Sequence, residues 1–418
     1  MPLWQVGAAA PELPDQPLPR EVDILVVGAG YTGLSAARET AAAGLHTWVL
    51  DEGRIGAGCS GRNGGQVAYS LKPSFATLAS RHGEQRAYAI LREGREALSH
   101  LREIASQESI DWRECGCFYG AHTARHFAIM RREAEGQLVG LEQRISVVPR
   151  KDQRREIASD FYHGGCLYHD DAAVDPMKLL LALLKRAQER GTAVQDRCRV
   201  QHIELSKGAF EVRTSRGALK ARKVLIATNG YSSALAPWHR RRVIPIGSYQ
   251  IATEPLGKDV VHELIPHARN VVDSRRVVVY FRPSPDGERI VFGGRAALAE
   301  KDPLACVPRL RAMLAQIFPQ LRAARIDHAW VGWVAYTFDT MPHLGSRNGL
   351  YYCMGYCGQG VPLAPYFGMR IGQQMAGLPE GRTALDGLAF PSRPYYFGTP
   401  WFLAPSVWAY RTLDALGR

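Results

Sequence analysis

The sequence contains no uninterrupted apolar run approaching the roughly 20 residues a membrane-spanning helix needs, which excludes an integral helical membrane protein. Paired CxxC spacing is also missing. The eight cysteines (Cys59, Cys115, Cys117, Cys166, Cys198, Cys306, Cys353, Cys357) are scattered, so a structural zinc site is not expected and reduced thiols are. "CGC" at 115–117 has no second cluster to complete a metal site, and Cys115 and Cys117 are read as small, half-buried side chains. The amino terminus "MPLWQVGAAAPELPDQPLPREVD" has no basic head followed by an apolar stretch. It reads as an extended, proline-punctuated arm rather than a signal peptide, which predicts a cytoplasmic protein. A basic run with interleaved aromatics is absent as well. The net charge of +12 is spread among acids, as in "LREGREALSHLREIASQE", so a solvated basic surface is a better reading than a nucleic-acid site.

What is present is a chain of 418 residues, 46% hydrophobic and 22% charged, long enough for two domains and a large buried cofactor. "VDILVVGAG" reads as a buried parallel strand, residues 31–43 as a helix packed on a sheet and ended by Gly44, and "HTWVLDEG" as a second strand. Residues 82–106 have the spacing of an amphipathic helix. In "VDPMKLLLALLKRAQERG", Asp175 is placed to cap a helix whose first turn accepts Pro176. From 243 to 295 the pattern changes to alternating apolar and polar residues, in "VIPIGSYQIATEPL", "RRVVVYFRPSPDG" and "RIVFGGR", which predicts an antiparallel sheet. Near the end, "GLYYCMGYCGQGVPLAPYFGMRIGQQMAG" returns to a strand, a glycine turn and a helix.

Gly28, Gly30 and Gly33 form GxGxxG between strand and helix, with Ala29, Tyr31 and Thr32 completing the turn. Gly28 permits the sharp bend, Gly30 admits a pyrophosphate, Gly33 lets helix and strand approach, and the helix N-terminus faces the phosphates. Asp51 ends the second strand where a ribose-binding acid belongs, with Glu52 as the alternative. A lone GxGxxG does not distinguish FAD from NAD. The following tail, "GRIGAGCSGRNGGQV", does: Ser60, Gly61 and Arg62 offer a hydroxyl, bare main chain and a cation to a pyrophosphate. Asn63, Gly64, Gly65 and Gln66 let main chain run beside a flat ring. An extended cofactor such as FAD needs both surfaces.

The order "GAGYTGLSAA", "RIGAGCSGRNGGQV", "DDAAVDPMKLL", "VLIATNGY", "YFRPSPDGERIVFGGR", "WVGWVAYTFDTMPHLG" and "GYCGQGVPLAPYFG" resembles the FAD-dependent oxidoreductases of the D-amino-acid oxidase and glycine oxidase superfamily, and within it the γ-glutamylputrescine oxidase-like branch. The resemblance runs from about residue 20 to 410. It implies an α/β (α+β) fold in which a Rossmann-like FAD-binding domain (1–72, 155–235 and 326–395) is interleaved with an antiparallel-sheet substrate domain (73–154 and 236–325), followed by a tail (396–418). It also implies that Val200 contacts adenine through its backbone and that Ala227 and Thr228 lie beside the adenosine. Gly355, Gly358, Gln359, Gly360 and Val361 would then bring main-chain N–H groups and a helix start to the flavin's pyrimidine side. "GYCGQG" alone would read equally as a flexible turn.

Departures from the family pattern are informative. The stretch before Thr337 and Asp339, "WVGWVAY", lacks the cysteine through which sarcosine oxidases tether their flavin, and the tail has Arg62 and Asn63 where others have a histidine, so non-covalent FAD is expected. It also lacks the arginine with which amino-acid oxidases hold the substrate carboxylate. The resemblance therefore implies an amine oxidoreductase in which hydride passes from the carbon next to nitrogen to flavin N5, with O2 or a quinone as electron acceptor. Tyr249, Tyr280, Trp330 and Trp333 are candidates for the pocket walls, each readable also as plain core. Arg282 is the candidate for a remote substrate carboxylate, or else a surface arginine. A proline- or pipecolate-type dehydrogenase and a tRNA-modifying flavoenzyme are the alternatives. The aromatic and arginine-bearing carboxyl tail either packs back on the protein or rests on a membrane surface.

Overall fold

A computed structural model describes residues 1–68, 71–295 and 302–415. Two eight-stranded sheets dominate it. The first has a parallel centre ordered Leu350–Met354, Gly217–Ile226, Glu21–Val27, Thr47–Leu50, Ala193–Gln195, edged by antiparallel His343–Arg347 and by the Val200–Ser206 and Ala209–Thr214 meander. Thr47–Leu50 and the ends of Glu21–Val27 and Gly217–Ile226 are buried on both faces, hence the unbroken apolar runs "ILVV" and "VLI". Helices Tyr31–Ala42, Pro176–Gln188 and Gly360–Ala376 cover it. Asp175 caps Pro176–Gln188 by accepting the N–H groups of Met177 and Lys178, as its position before Pro176 predicts.

The second sheet runs Ile326–Tyr336, Ile244–Thr253, Ile290–Gly294, Val279–Pro283, Asn270–Asp273, Cys117–Gly120, Gly165–Tyr168, Ile145–Val148. Its far face carries a core of its own, including Tyr249, Phe281 and Phe292 under the Pro303–Ile317 helix. The sheet is mixed: Asn270–Asp273 pairs in parallel with Cys117–Gly120, because these strands come from separate excursions of the chain and not from one hairpin.

Sheet membership also corrects the expected domain spans. Gly165–Tyr168 and Ile326–Tyr336 both lie in the second sheet, although each falls in a segment assigned to the nucleotide unit. Neither has a local signal for this. Ile326–Tyr336 joins through a long register with Ile244–Thr253, a non-local pairing. The expected spans also pass through residues 69–70, 296–301 and 416–418, which lie outside the described residues.

The amino-terminal arm is less extended than expected. Trp4–Gly7 is a short helix, and Trp4 is 1% exposed, packed edge-on against Trp330 and donating its indole N–H to the Asn63 carbonyl.

Candidate cofactor and substrate site

The main cleft opens at the carboxyl ends of the parallel strands. Gly28, Asp51 and Ala227 each directly follow a strand, as ligand-binding positions of open α/β sheets do. Gly28 has φ +109°, and a Cβ there would meet the Ala227 carbonyl at 3.0 Å. A Cβ on Gly33 would be driven into the Gly28 carbonyl, so Gly33 sets the distance between helix and turn. Gly30 faces the cleft, and its added Cβ would lie 2.9 Å from Ser60 Oγ. That hydroxyl accepts the Tyr31 N–H at 3.1 Å, which brings the glycine-rich tail onto the first turn of the helix.

Asp51 accepts the N–H groups of Ala29 at 2.8 Å and Gly53 at 2.9 Å. Burial raises its pKa, with these two amides opposing the shift. The carboxylate thus braces the phosphate turn while still lining the cleft. Glu52 lies at the mouth, 3.5 Å from Arg199, both more than half exposed, a contact of little energetic weight.

Gly28, Ala29, Gly30, Tyr31, Thr32, Asp51, Glu52, Ser60, Asn63, Val200, Ala227, Thr228, Gly358, Gly360 and Val361 all line this one cleft. The remaining tail residues support it from behind. Asn63 donates to Tyr31 Oη and to the Cys59 and Ser60 carbonyls and accepts the Gly65 N–H, fixing the turn. Gly61 packs on Gly56. The Arg62 carbonyl receives Gln250 Nε2 and Trp330 Nε1, while its guanidinium donates to the Val331 carbonyl. Gly64 lies under Tyr280, and Gly65, at φ +65°, is wedged between the Val174 carbonyl and Arg282. Gln66 turns away and donates to the Phe281 carbonyl of the second sheet.

At the other end, helices Tyr31–Ala42 and Gly360–Ala376 cross closely because Gly368 and Gly372 lie against the backbone of Thr32 and Ala36. The crossing aims both helix N-termini at the cleft, and no N-cap side chain closes either first turn. Thr32 Oγ1 and Tyr356 Oη are 2.6 Å apart and tie the two starts together. Gly355 donates its N–H to Oδ1 of the cleft-lining Asn229, and Gln359 is the N-cap position of the second helix.

The substrate-wall expectations fare differently. Trp330 and Tyr280 point to the tail side of the second sheet: Trp330 through Arg62 and Trp4, Tyr280 through Gly64 and a 2.7 Å contact with Ser248. Tyr249 is a correction. It lies in the packed core on the sheet's far face, since strand alternation puts it opposite Ser248 and Gln250. Trp333 is likewise on the face opposite Trp330 and Val334, next to Gly230. Arg282 is neither a surface arginine nor a cleft cation. It is 2% exposed, donates to the Val174 carbonyl at 2.7 Å, lies over the Trp4 ring and is held to a pKa of about 10 by burial, with Arg113 adding to the effect. It lies against Gly65 and Val174, behind the glycine-rich tail.

Several lining residues escaped the sequence reading: Arg199, Tyr231, Val334 and Tyr356. Tyr356 was inside a quoted motif, but only its glycines carried a reason. Lys72 was also missed. Its side chain is exposed and forms no ion pair among the described residues, yet enough protein surrounds the ammonium for burial to lower its pKa, with the Cys357 thiol within range of its charge. Cys59 and Cys357 have pKa values pushed up to about 11, by burial first, so both are neutral thiols.

A model of the family described as FAD dependent oxidoreductase (DAO) matches residues 23–374. The chain belongs to that family. It is 31% identical over 379 residues to the gamma-glutamylputrescine oxidoreductase of Escherichia coli, covering 90% of this chain and 87% of that one. It is 29% identical over 377 residues to the probable oxidoreductase OrdL of Haemophilus influenzae, covering 88% and 86%. Among solved structures, glycine oxidase from Geobacillus kaustophilus superposes with a TM-score of 0.72 at 18% identity, over 90% of this chain and all of that one. L-Proline dehydrogenase from P. horikoshii gives 0.73 at 18% identity, over 93% and 99%. The chain is an FAD-dependent oxidoreductase, and the cleft fits that cofactor: a Cβ-free phosphate turn, a bracing acid, and two converging helix starts. No helix among the described residues is long and apolar enough to cross a membrane.

Proposed function

We propose that the enzyme oxidises a primary or secondary amine, γ-glutamylputrescine or a related acidic amine, at the carbon next to nitrogen. The single observation that carries this reading is the 31% identity, over nearly the full chain, with a gamma-glutamylputrescine oxidoreductase. Bound FAD supplies the two-electron acceptor for the hydride, and water then hydrolyses the imine to an aldehyde and the free amine. The protein's part is positional. The turn at Gly28–Gly33 and Asp51 hold the dinucleotide end. The start of Gly360–Ala376 offers uncapped N–H groups to negative charge that develops at the other end of the cleft. Trp4, Trp330 and Tyr280 back the glycine-rich tail and keep water from behind it. The reading takes the electron acceptor to be O2 and the compartment to be the cytoplasm.

With Arg282 sealed behind the tail, the reading assigns a remote carboxylate to Lys72, whose ammonium lies within range of the Cys357 thiol beside the cleft. A contact of similar strength in ground and transition states changes KM more than kcat. Lys72→Met is therefore expected to raise KM for an acidic amine about tenfold with kcat little changed, the weight of one charge-assisted hydrogen bond. An unchanged KM would remove Lys72 from the substrate site. The reading as a whole is tested by anaerobic mixing with an amine panel while flavin absorbance is followed. γ-Glutamylputrescine or a related amine should bleach the flavin; bleaching by glycine, D-alanine or D-proline alone would overturn the substrate class and leave the flavoenzyme standing.

A further inference from the structure

Every exposed large aromatic among the described residues lies between 395 and 410: Tyr395 (51% exposed), Phe397 (67%), Trp401 (64%), Trp408 (64%) and Tyr410 (46%). Five such rings in one short segment are not the scattered exposure normal for a protein surface. The segment is also firmly held. Asp414 accepts the N–H groups of Arg276 and Val277, Tyr396 donates its hydroxyl to the Val243 carbonyl, and Phe402 packs on the Tyr396 ring at 5.8 Å. Docking uses part of the tail and leaves these rings in solvent. On the Leu403–Ala415 helix, Val407 and Asp414 share the buried side, with the more exposed Trp408 on one flank of it and Tyr410 on the other; Tyr395 and Trp401 pack edge-on at 6.3 Å.

The surroundings are basic. Arg240 packs along Gly398 and contacts Thr399, Arg241 lies over the Phe397 ring at 5.6 Å, and Arg393 over Phe338 at 5.1 Å. None of these three arginines forms an ion pair with a carboxylate among the described residues. Residues 387–413 and 237–253 contain no Asp or Glu at all. Trp and Tyr rings with unpaired arginines beside them match the chemistry of the lipid headgroup region, where the ring sits at the interface and the guanidinium meets phosphate. A partner protein's apolar groove would accept the rings but would not call for three arginines around them that form no ion pair with a carboxylate.

We infer that the outer face of the 395–410 segment, with Arg240, Arg241 and Arg393 around it, is a docking surface for an anionic phospholipid bilayer. The enzyme rests on the membrane by this face without crossing it.

The test uses the full FAD-loaded chain and vesicles of phosphatidylcholine and phosphatidylglycerol, 3:1 by mole, with pure phosphatidylcholine as the neutral control. Co-sedimentation with the anionic vesicles at low ionic strength is expected, weakened by salt and weak with the neutral ones. Trp401→Ser with Trp408→Ser should reduce the bound fraction about tenfold while anaerobic flavin reduction by substrate is unchanged. Arg241→Gln, which leaves the tryptophans in place, should weaken binding about fivefold. No vesicle binding by the unmodified protein, or equal binding by the double variant, overturns the proposal. So does a dimer, seen by light scattering, that the double variant dissociates while neither protein binds vesicles: the face would then be an interface between two copies.

Discussion

His239 is 2% exposed among Trp238, Tyr352 and Phe390, and neither ring nitrogen has a hydrogen-bond partner. Burial, reinforced by Arg242 and Arg347, pushes its pKa down to about 4. The folded protein thus holds this imidazole neutral where an unfolded chain, with a value near 6.5, would protonate it. Between those two values the unfolded state binds more protons, so stability is fully present above about pH 6.5 and falls as pH drops towards 4. The loss at the lower end is on the order of 3 kcal/mol. His100, also lowered to about 4, adds a second contribution of the same sign. His239→Phe keeps an aromatic ring in the cluster and removes one titration. Its Tm should decline less steeply than that of the unmodified protein between pH 6.5 and 4, with the two close above pH 7. Parallel Tm curves across that range would show that His239 is not held neutral.

At the scale of the element, the turn and the helix that follows it separate two uses of glycine. Gly33 touches only protein, and a side chain there collides with the Gly28 carbonyl. Gly30 faces the cleft, with Ser60 Oγ beyond it. Gly33→Ala should therefore destabilise the fold itself, by 1–3 kcal/mol at the usual order for overpacking, whereas Gly30→Val should leave a folded, colourless protein. Circular dichroism and flavin absorbance on both variants distinguish the cases, and full cofactor content in folded Gly30→Val would mean that the phosphates do not approach there. These glycines were legible in the sequence because GxGxxG sits between a strand and a helix with the right periodicities. Arg282 was not. Its motif suggested a ligand for substrate, but burial under Trp4 is decided by an arm 278 residues away, and no local pattern reports a contact of that length. Tyr249 and Trp333 failed for another reason: an aromatic in a strand announces burial, and which face it takes depends on where the neighbouring strands fall in register.

In the whole molecule, the cleft is assembled from segments that start near residues 27, 50, 199, 227 and 356, with the Ile326–Tyr336 strand of the second sheet contributing Val334. The family pattern showed this interleaving in outline, while the strand exchange between sheets needed tertiary pairing to appear. A cofactor gripped by so many separate segments stabilises all of them. Binding to the folded state alone adds roughly 3 kcal/mol when free FAD is a hundred times its Kd, a Tm rise of several degrees. The bond is expected to be non-covalent. Val334 faces the cleft, and the two cysteines at or beside it, Cys59 and Cys357, with pKa values near 11, hold only about one part in ten thousand as thiolate at neutral pH. Acid precipitation should leave the yellow colour in the supernatant. Protein stripped of flavin by gentler dialysis should melt several degrees lower and recover with FAD but not with riboflavin, which lacks the phosphates that Gly28–Gly33 would hold. Colour fixed in the pellet would refute the non-covalent bond, and a Tm indifferent to FAD would refute the account of the cleft as the clasp between the two sheets.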